Sequence, residues 1–129
     1  MKDRANEVKA AKRSSKATPA DAEAEVLAKI AEFDDADRAL AELVHTIVRT
    51  NAPQLTCRLW YGQPAYAKDG KVLCFFQPAA KFKTRYATLG FSDVAALDDG
   101  TMWPASYALT KLDAEDEKRI AELLKQAAR

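Results

Sequence analysis

Trp60-Tyr61-Gly62-Gln63-Pro64-Ala65-Tyr66-Ala67-Lys68-Asp69-Gly70-Lys71-Val72-Leu73-Cys74-Phe75-Phe76 decides the architecture. Asp69-Gly70 between strand-forming residues predicts a two-residue hairpin turn, because both positions of that turn need positive φ. Strands are therefore expected over residues 65–68 and 71–77. In the second strand Val72, Cys74 and Phe76 face one way and Leu73 and Phe75 the other. Two apolar faces predict a central strand covered on both sides. Gly62 is placed to close a helix in the left-handed conformation, and Pro64 to prevent its continuation. That reading puts a short helix over residues 53–61, with Pro53 near its first position.

Upstream, Thr18-Pro19-Ala20-Asp21 reads as a helix start: Thr18 as N-cap, Pro19 in the first turn and Asp21 at the positive end. Val26, Ile30 and Phe33 follow at helical spacing, with Leu27 beside them. Asp34-Asp35-Ala36-Asp37 interrupts the pattern, with Asp34 as a second N-cap, and Leu40, Leu43, Val44, Ile47 and Val48 form the clearest apolar stripe. With no Pro or Gly between them, one long helix is the alternative to two. Residues 1–17 hold six bases (Lys2, Arg4, Lys9, Lys12, Arg13, Lys16), two acids (Asp3, Glu7) and little apolar surface. They are expected to be a disordered basic tail.

Downstream, residues 83–91 read as a third strand, 92–97 as a helical turn capped by Ser92, and 105–110 as a fourth strand. Asp113 caps a final helix whose stripe is Ile120, Leu123, Leu124 and Ala127. Short connections favour antiparallel pairing. The expected fold is α+β: an antiparallel sheet of about four strands, packed by N-terminal helices and a C-terminal helix, in one domain over residues 18–129.

Bulk composition narrows the function classes. With 129 residues, 48% hydrophobic and 30% charged, the chain suits one globular domain. A net charge of +1 provides no global field for nucleic acid or an anionic membrane. No apolar run approaches the roughly 20 residues that span a bilayer, and no apolar stretch follows the charged N-terminus to make a secretory signal. Cys57 and Cys74 lack the spacing of a redox pair or metal knuckle; they read as reduced thiols packed as small hydrophobes, in keeping with a cytoplasmic protein.

The search for chemistry gives few candidates. His45 is the only histidine, and at the flank of the second helix's stripe it reads as a boundary residue with a snorkelling ring. Four glycines form no phosphate cradle, dinucleotide fingerprint or nucleophile elbow, which points away from hydrolases, kinases and dehydrogenases and toward a non-enzymatic domain. Asp21, Glu23, Glu25, Glu32, Asp34, Asp35 and Asp37 gather on and between the first two helices. Such oxygen-rich surfaces can hold hard ions weakly, and they also serve as caps and solvated faces. Lys81, Lys83 and Arg85 alternate with Phe82, Thr84 and Tyr86. As one strand face, these cations form an anion or small-molecule site with Trp60 and Tyr66, or simply discourage edge-to-edge association.

The run Trp60-Tyr61-Gly62-Gln63-Pro64-Ala65-Tyr66, the Gly turn and the apolar strand Lys71-Val72-Leu73-Cys74-Phe75-Phe76 resemble the bacterial YdhG-like family, a domain of unknown function. Residues 81–91 and the Met102-Trp103-Pro104 turn fit one branch of it, and the resemblance spans residues 20–128. Some members are labelled intracellular iron chaperones resembling frataxin, with an antiparallel sheet and flanking helices. The resemblance thus implies iron as cargo, delivery to cluster assembly or haem synthesis, and iron-accepting proteins as partners. It supplies no ligand motif. By analogy with acidic iron-binding surfaces, Glu32, Asp34, Asp35 and Asp37 are the candidate metal ligands, with Trp60, Tyr66, Lys81, Lys83 and Arg85 the alternative ligand-binding set.

Overall fold

Thr18 caps the first helix, as the sequence predicts. The computed structural model describes residues 18–129; the tail expected over residues 1–17 lies outside them. The Thr18 side chain accepts from the Asp21 amide at 3.2 Å while Asp21 accepts from the Thr18 amide at 3.1 Å, with Pro19 in the first turn. This reciprocal cap opens helix α1 (Pro19–Ala31), whose Val26 and Ile30 are buried. Residues 32–34 break the helical path, so the acidic run separates two helices. Helix α2 (Asp35–Asn51) buries Leu40, Ala41, Val44, Ile47 and Val48. Asp34 stands at its N-cap position, but its side chain makes no capping bond.

The helix expected over residues 53–61 is replaced by a strand. β1 (Thr56–Trp60) pairs antiparallel with β2 (Gln63–Lys68), and Trp60 sits opposite Gln63. Tyr61 (φ 54°) and Gly62 (φ 75°) make the two-residue turn between them. Gly62 therefore serves a hairpin rather than a helix end. Cys57 and Leu59 alternate with Arg58 and Trp60, so the period is two. Asp69 (φ 52°) and Gly70 (φ 81°) close the predicted second hairpin into β3 (Lys71–Gln77), and a bulge falls at Tyr66/Ala67.

After β3, residues 83–86 do not extend a strand. Ala79–Phe82 forms a short helix, α3, closed by Lys83 in the left-handed region at φ 54°. The Asp37 carboxylate accepts from the amides of Ala79 and Ala80, both at 3.0 Å, fixing the start of α3 from a distant helix. The next strand, β4, is confined to Ala87–Phe91, and β5 to Ser106–Leu109. Between them, residues 92–97 form turns rather than helix: the Ser92 hydroxyl donates to the Val72 carbonyl and its amide to Leu73 O at 2.9 Å. Helix α4 (Ala114–Ala127) opens with a reciprocal cap between Asp113 and Asp116 and buries Ile120, Leu124 and Ala127, with Leu123 half-buried.

The fold is α+β with a five-stranded antiparallel meander, β1-β2-β3-β4-β5; β1 is the strand beyond the four expected. β3 is central, as its apolar run predicts. Cys57, Tyr66, Cys74 and Phe91 are registered neighbours across β1 to β4. Their face meets the helices: Phe33 stacks on Phe76 at 6.2 Å, His45 reaches Tyr66, and Arg119 lies 5.6 Å over Tyr107. The opposite face is covered by its own aromatics instead of a second helical layer. Trp60 packs against Phe75 at 5.2 Å, and the Phe75 ring lies over Gly90, where a Cβ would stand 2.3 Å from ring carbon Cζ.

Gly90→Ala is therefore expected to destabilise the domain by about 1–3 kcal/mol in urea denaturation through overpacking. Adding Phe75→Leu should recover part of that loss. An undiminished midpoint in the single variant would disprove the close approach.

Candidate metal centre

On α1, Glu23 precedes Val26 by three residues and Ile30 by seven, which places a carboxylate in line with the buried stripe. On α2, His45 follows Ala41 by four and precedes Val48 by three, which aims an imidazole at the sheet. Cys57 on β1 and Tyr66 on β2 are cross-strand partners on the receiving face. These four side chains converge. His45 Nε2 lies 2.8 Å from Glu23 Oε2, and His45 Nδ1 lies 2.8 Å from the Tyr66 hydroxyl. Arg49 Nε approaches the same Glu23 oxygen at 3.3 Å, while its Nη1 donates to the Leu55 carbonyl at 2.9 Å. The ligating atoms of Glu23, His45 and Cys57 all lie within 4.8 Å of one another.

Burial governs the protons. Desolvation pushes the Tyr66 hydroxyl far above the ordinary phenol range; Cys57, Cys74 and Glu23 raise it further and Arg49 opposes them. Tyr66 is therefore a neutral O–H, and the consistent arrangement has it donate to His45 Nδ1 while Nε2–H donates to Glu23. Desolvation likewise pushes the Cys57 thiol up, with Arg49 pulling it down and Glu23 adding to the rise. A cysteine, a histidine and a carboxylate in one place suggest nucleophilic catalysis, but the thiol is held protonated and both imidazole nitrogens are engaged. The arrangement generates no thiolate nucleophile unaided.

The same donor set suits a divalent ion. One oxygen, one nitrogen and one sulfur from three elements match borderline metals such as zinc and ferrous iron. The Tyr66 contact on the second imidazole nitrogen is the outer-shell partner that orients a histidine ligand. His45 and Cys57 are buried, whereas the Glu23 side chain is 31% exposed and forms the solvent side.

The residues singled out from the sequence lie elsewhere. Glu32 pairs with Lys29 at 3.5 Å, Asp35 with Arg38 at 2.9 Å, and buried Asp37 spends both oxygens on α3. Asp34 is exposed. Among the described residues, Glu32, Asp34, Asp35 and Asp37 bring no three carboxylates within ligating distance, and the Glu23, His45 and Cys57 group does. Of the alternative set, Tyr66 is buried under the helices and Trp60 packs on the opposite face, so they share no pocket. Lys81, Lys83 and Arg85 do not share a strand face. Lys81 lies in α3 and donates to Tyr61 O at 3.3 Å, Lys83 ends α3, and Arg85 stacks 5.4 Å over Tyr86. His45 is a buried, doubly bonded residue, not a snorkelling one.

Compared with known protein families, with characterised proteins and with solved structures, the chain matches none. No helix among the described residues is long and apolar enough to cross a membrane.

Tyr66→Phe leaves the buried imidazole nitrogen without a partner and should cost about 1–3 kcal/mol in denaturant unfolding. An unchanged stability would contradict the bond. Cys74, pushed up to about 12 from 9.0 by desolvation, stays protonated in the folded state while the unfolded thiol ionises. The folded state then binds more protons, so stability should fall as pH rises from about 9 toward 12, by at most about 1.4 kcal/mol per pH unit for this group. Cys74→Ala should flatten that part of the stability profile.

Proposed function

We propose that this domain is a non-enzymatic metal-binding protein that takes up one divalent transition-metal ion on Glu23, His45 and Cys57. The observation that carries this reading is the convergence of three different donor types within 4.8 Å, from α1, α2 and β1. The YdhG-like resemblance implies iron as the cargo, and the sulfur and imidazole donors suit its ferrous form. The ion moves to Glu23, His45 and Cys57, away from the acidic loop that the sequence suggests.

Each residue has a defined part. His45 would give up its bond to Glu23 and shift its ring proton from Nε2 to Nδ1, so that Nε2 faces the ion and Nδ1–H donates to the Tyr66 oxygen, whose own proton turns away. Cys57 loses its proton on binding, so uptake releases a proton and affinity rises with pH. Glu23, the most exposed of the three, supplies the route by which an ion enters and leaves. Arg49 holds the Glu23 carboxylate when no ion is bound and must yield on uptake. An iron-accepting partner and a reducing, cytoplasmic setting complete this proposal, in keeping with two free buried thiols.

Anaerobic calorimetric titration with ferrous ion tests it. Saturable 1:1 binding is expected, weakened about tenfold or more (about 1.4 kcal/mol) by Cys57→Ser and by Glu23→Gln. Asp34→Asn with Asp35→Asn should leave it unchanged. Cobalt(II) should give a sulfur charge-transfer band that Cys57→Ser abolishes and Cys74→Ser retains. Binding that survives Cys57→Ser but is lost in the aspartate variant would return the ion to the acidic loop.

A further inference from the structure

A second concave site lies beyond the other end of α1 and shares no lining residue with the metal-binding group. The end of α1, the α1–α2 connection and the start of α3 enclose a cleft of about 320 Å³, lined by Lys29, Glu32, Phe33, Asp34, Pro78 and Lys81 among others. That volume sits at the lower end of small-molecule pockets, roughly 300–1,000 Å³. Asp37 also borders the cleft, but its two oxygens are already committed to the Ala79 and Ala80 amides.

The remaining charges differ in how far they are satisfied. Lys29 and Glu32 largely balance each other at 3.5 Å across one helical turn. Lys81 is positioned by a neutral acceptor, the Tyr61 carbonyl at 3.3 Å, and pairs with no carboxylate among the described residues. The Lys81 ammonium lies against Gly62, where a Cβ would stand 2.7 Å from Nζ and move that flexible side chain aside. The Asp34 carbonyl accepts from the Arg38 amide at 2.8 Å, while its carboxylate makes neither a capping bond nor an ion pair among the described residues. Phe33, half-buried and stacked on Phe76, supplies the apolar wall between these charges, with Pro78 packed behind it.

We infer that this cleft binds a small zwitterion, with the anionic group on Lys81, the ammonium group on Asp34 and a short apolar body against Phe33. A simple anion would satisfy Lys81 and face Asp34 unfavourably; a simple amine would do the reverse. Requiring both charges on one ligand gives specificity by rejecting each singly charged analogue.

The test uses chelator-treated full-length protein, so that ion binding plays no part, with L-norvaline and 5-aminopentanoate as probes of two charge spacings. Pentanoate and pentylamine are the singly charged controls. At about 10 mM, at least one zwitterion should raise the melting temperature dose-dependently and the controls should not. Lys81→Ala and Asp34→Asn, both at exposed positions, should each weaken that binding about tenfold while keeping the unliganded melting temperature. The inference is overturned by the absence of any zwitterion shift, by equal shifts from the controls, or by full binding in both variants.

Discussion

Everything in the domain rests on strand register set by two turns. Tyr61-Gly62 and Asp69-Gly70 both place consecutive residues at positive φ, and each joins its strands with no residue to spare. Because side chains alternate along a strand, slipping one residue would turn Cys57 and Tyr66 away from the helices. It would also turn Trp60 and Arg58 into the core. Register therefore fixes the packed face and, through Cys57 and Tyr66, the composition of the polar group that helices α1 and α2 complete.

That polar group is unusual material for a core. His45, Tyr66 and Cys57 lie beside Val44, Val48 and Leu55, where apolar side chains of similar volume would pack without any need for partners. His45 and Tyr66 are tolerated because their bonds close on one another and end at a carboxylate near solvent, while burial keeps the Cys57 thiol protonated. Among the described residues, the Gln63 side-chain oxygen is the buried polar atom left without a partner. Local departures from a simple core of this kind are where function is to be sought.

Much of the framework was legible in the sequence because its signals are local. Thr18 with Asp21, the Asp113 cap and Asp69-Gly70 each act over four residues or fewer. β1 was missed because Pro53 mimics a helix start and Gly62 a helix stop. The residue before that glycine is tyrosine, where such turns more often show asparagine or aspartate. α3 was missed because Lys81, Lys83 and Arg85 alternate like a strand, while the carboxylate that winds the segment comes from Asp37, 42 residues earlier. His45 looked peripheral on its own helix; its partners come from α1 and β2. One signal was available in the chain, since Glu23 falls in register with Val26 and Ile30, and a carboxylate on a buried stripe asks for a partner.

Asp37 has a mechanical consequence as well. It stands in the first turn of α2 and grips α3, while His45 lies eight residues further on, near the middle of the same rod, about 12 Å away. A rigid helix cannot shift at one end alone. Any displacement of α2 that moves His45 would tug the Asp37 anchor at the border of the cleft, so the buried polar group and the cleft share one lever.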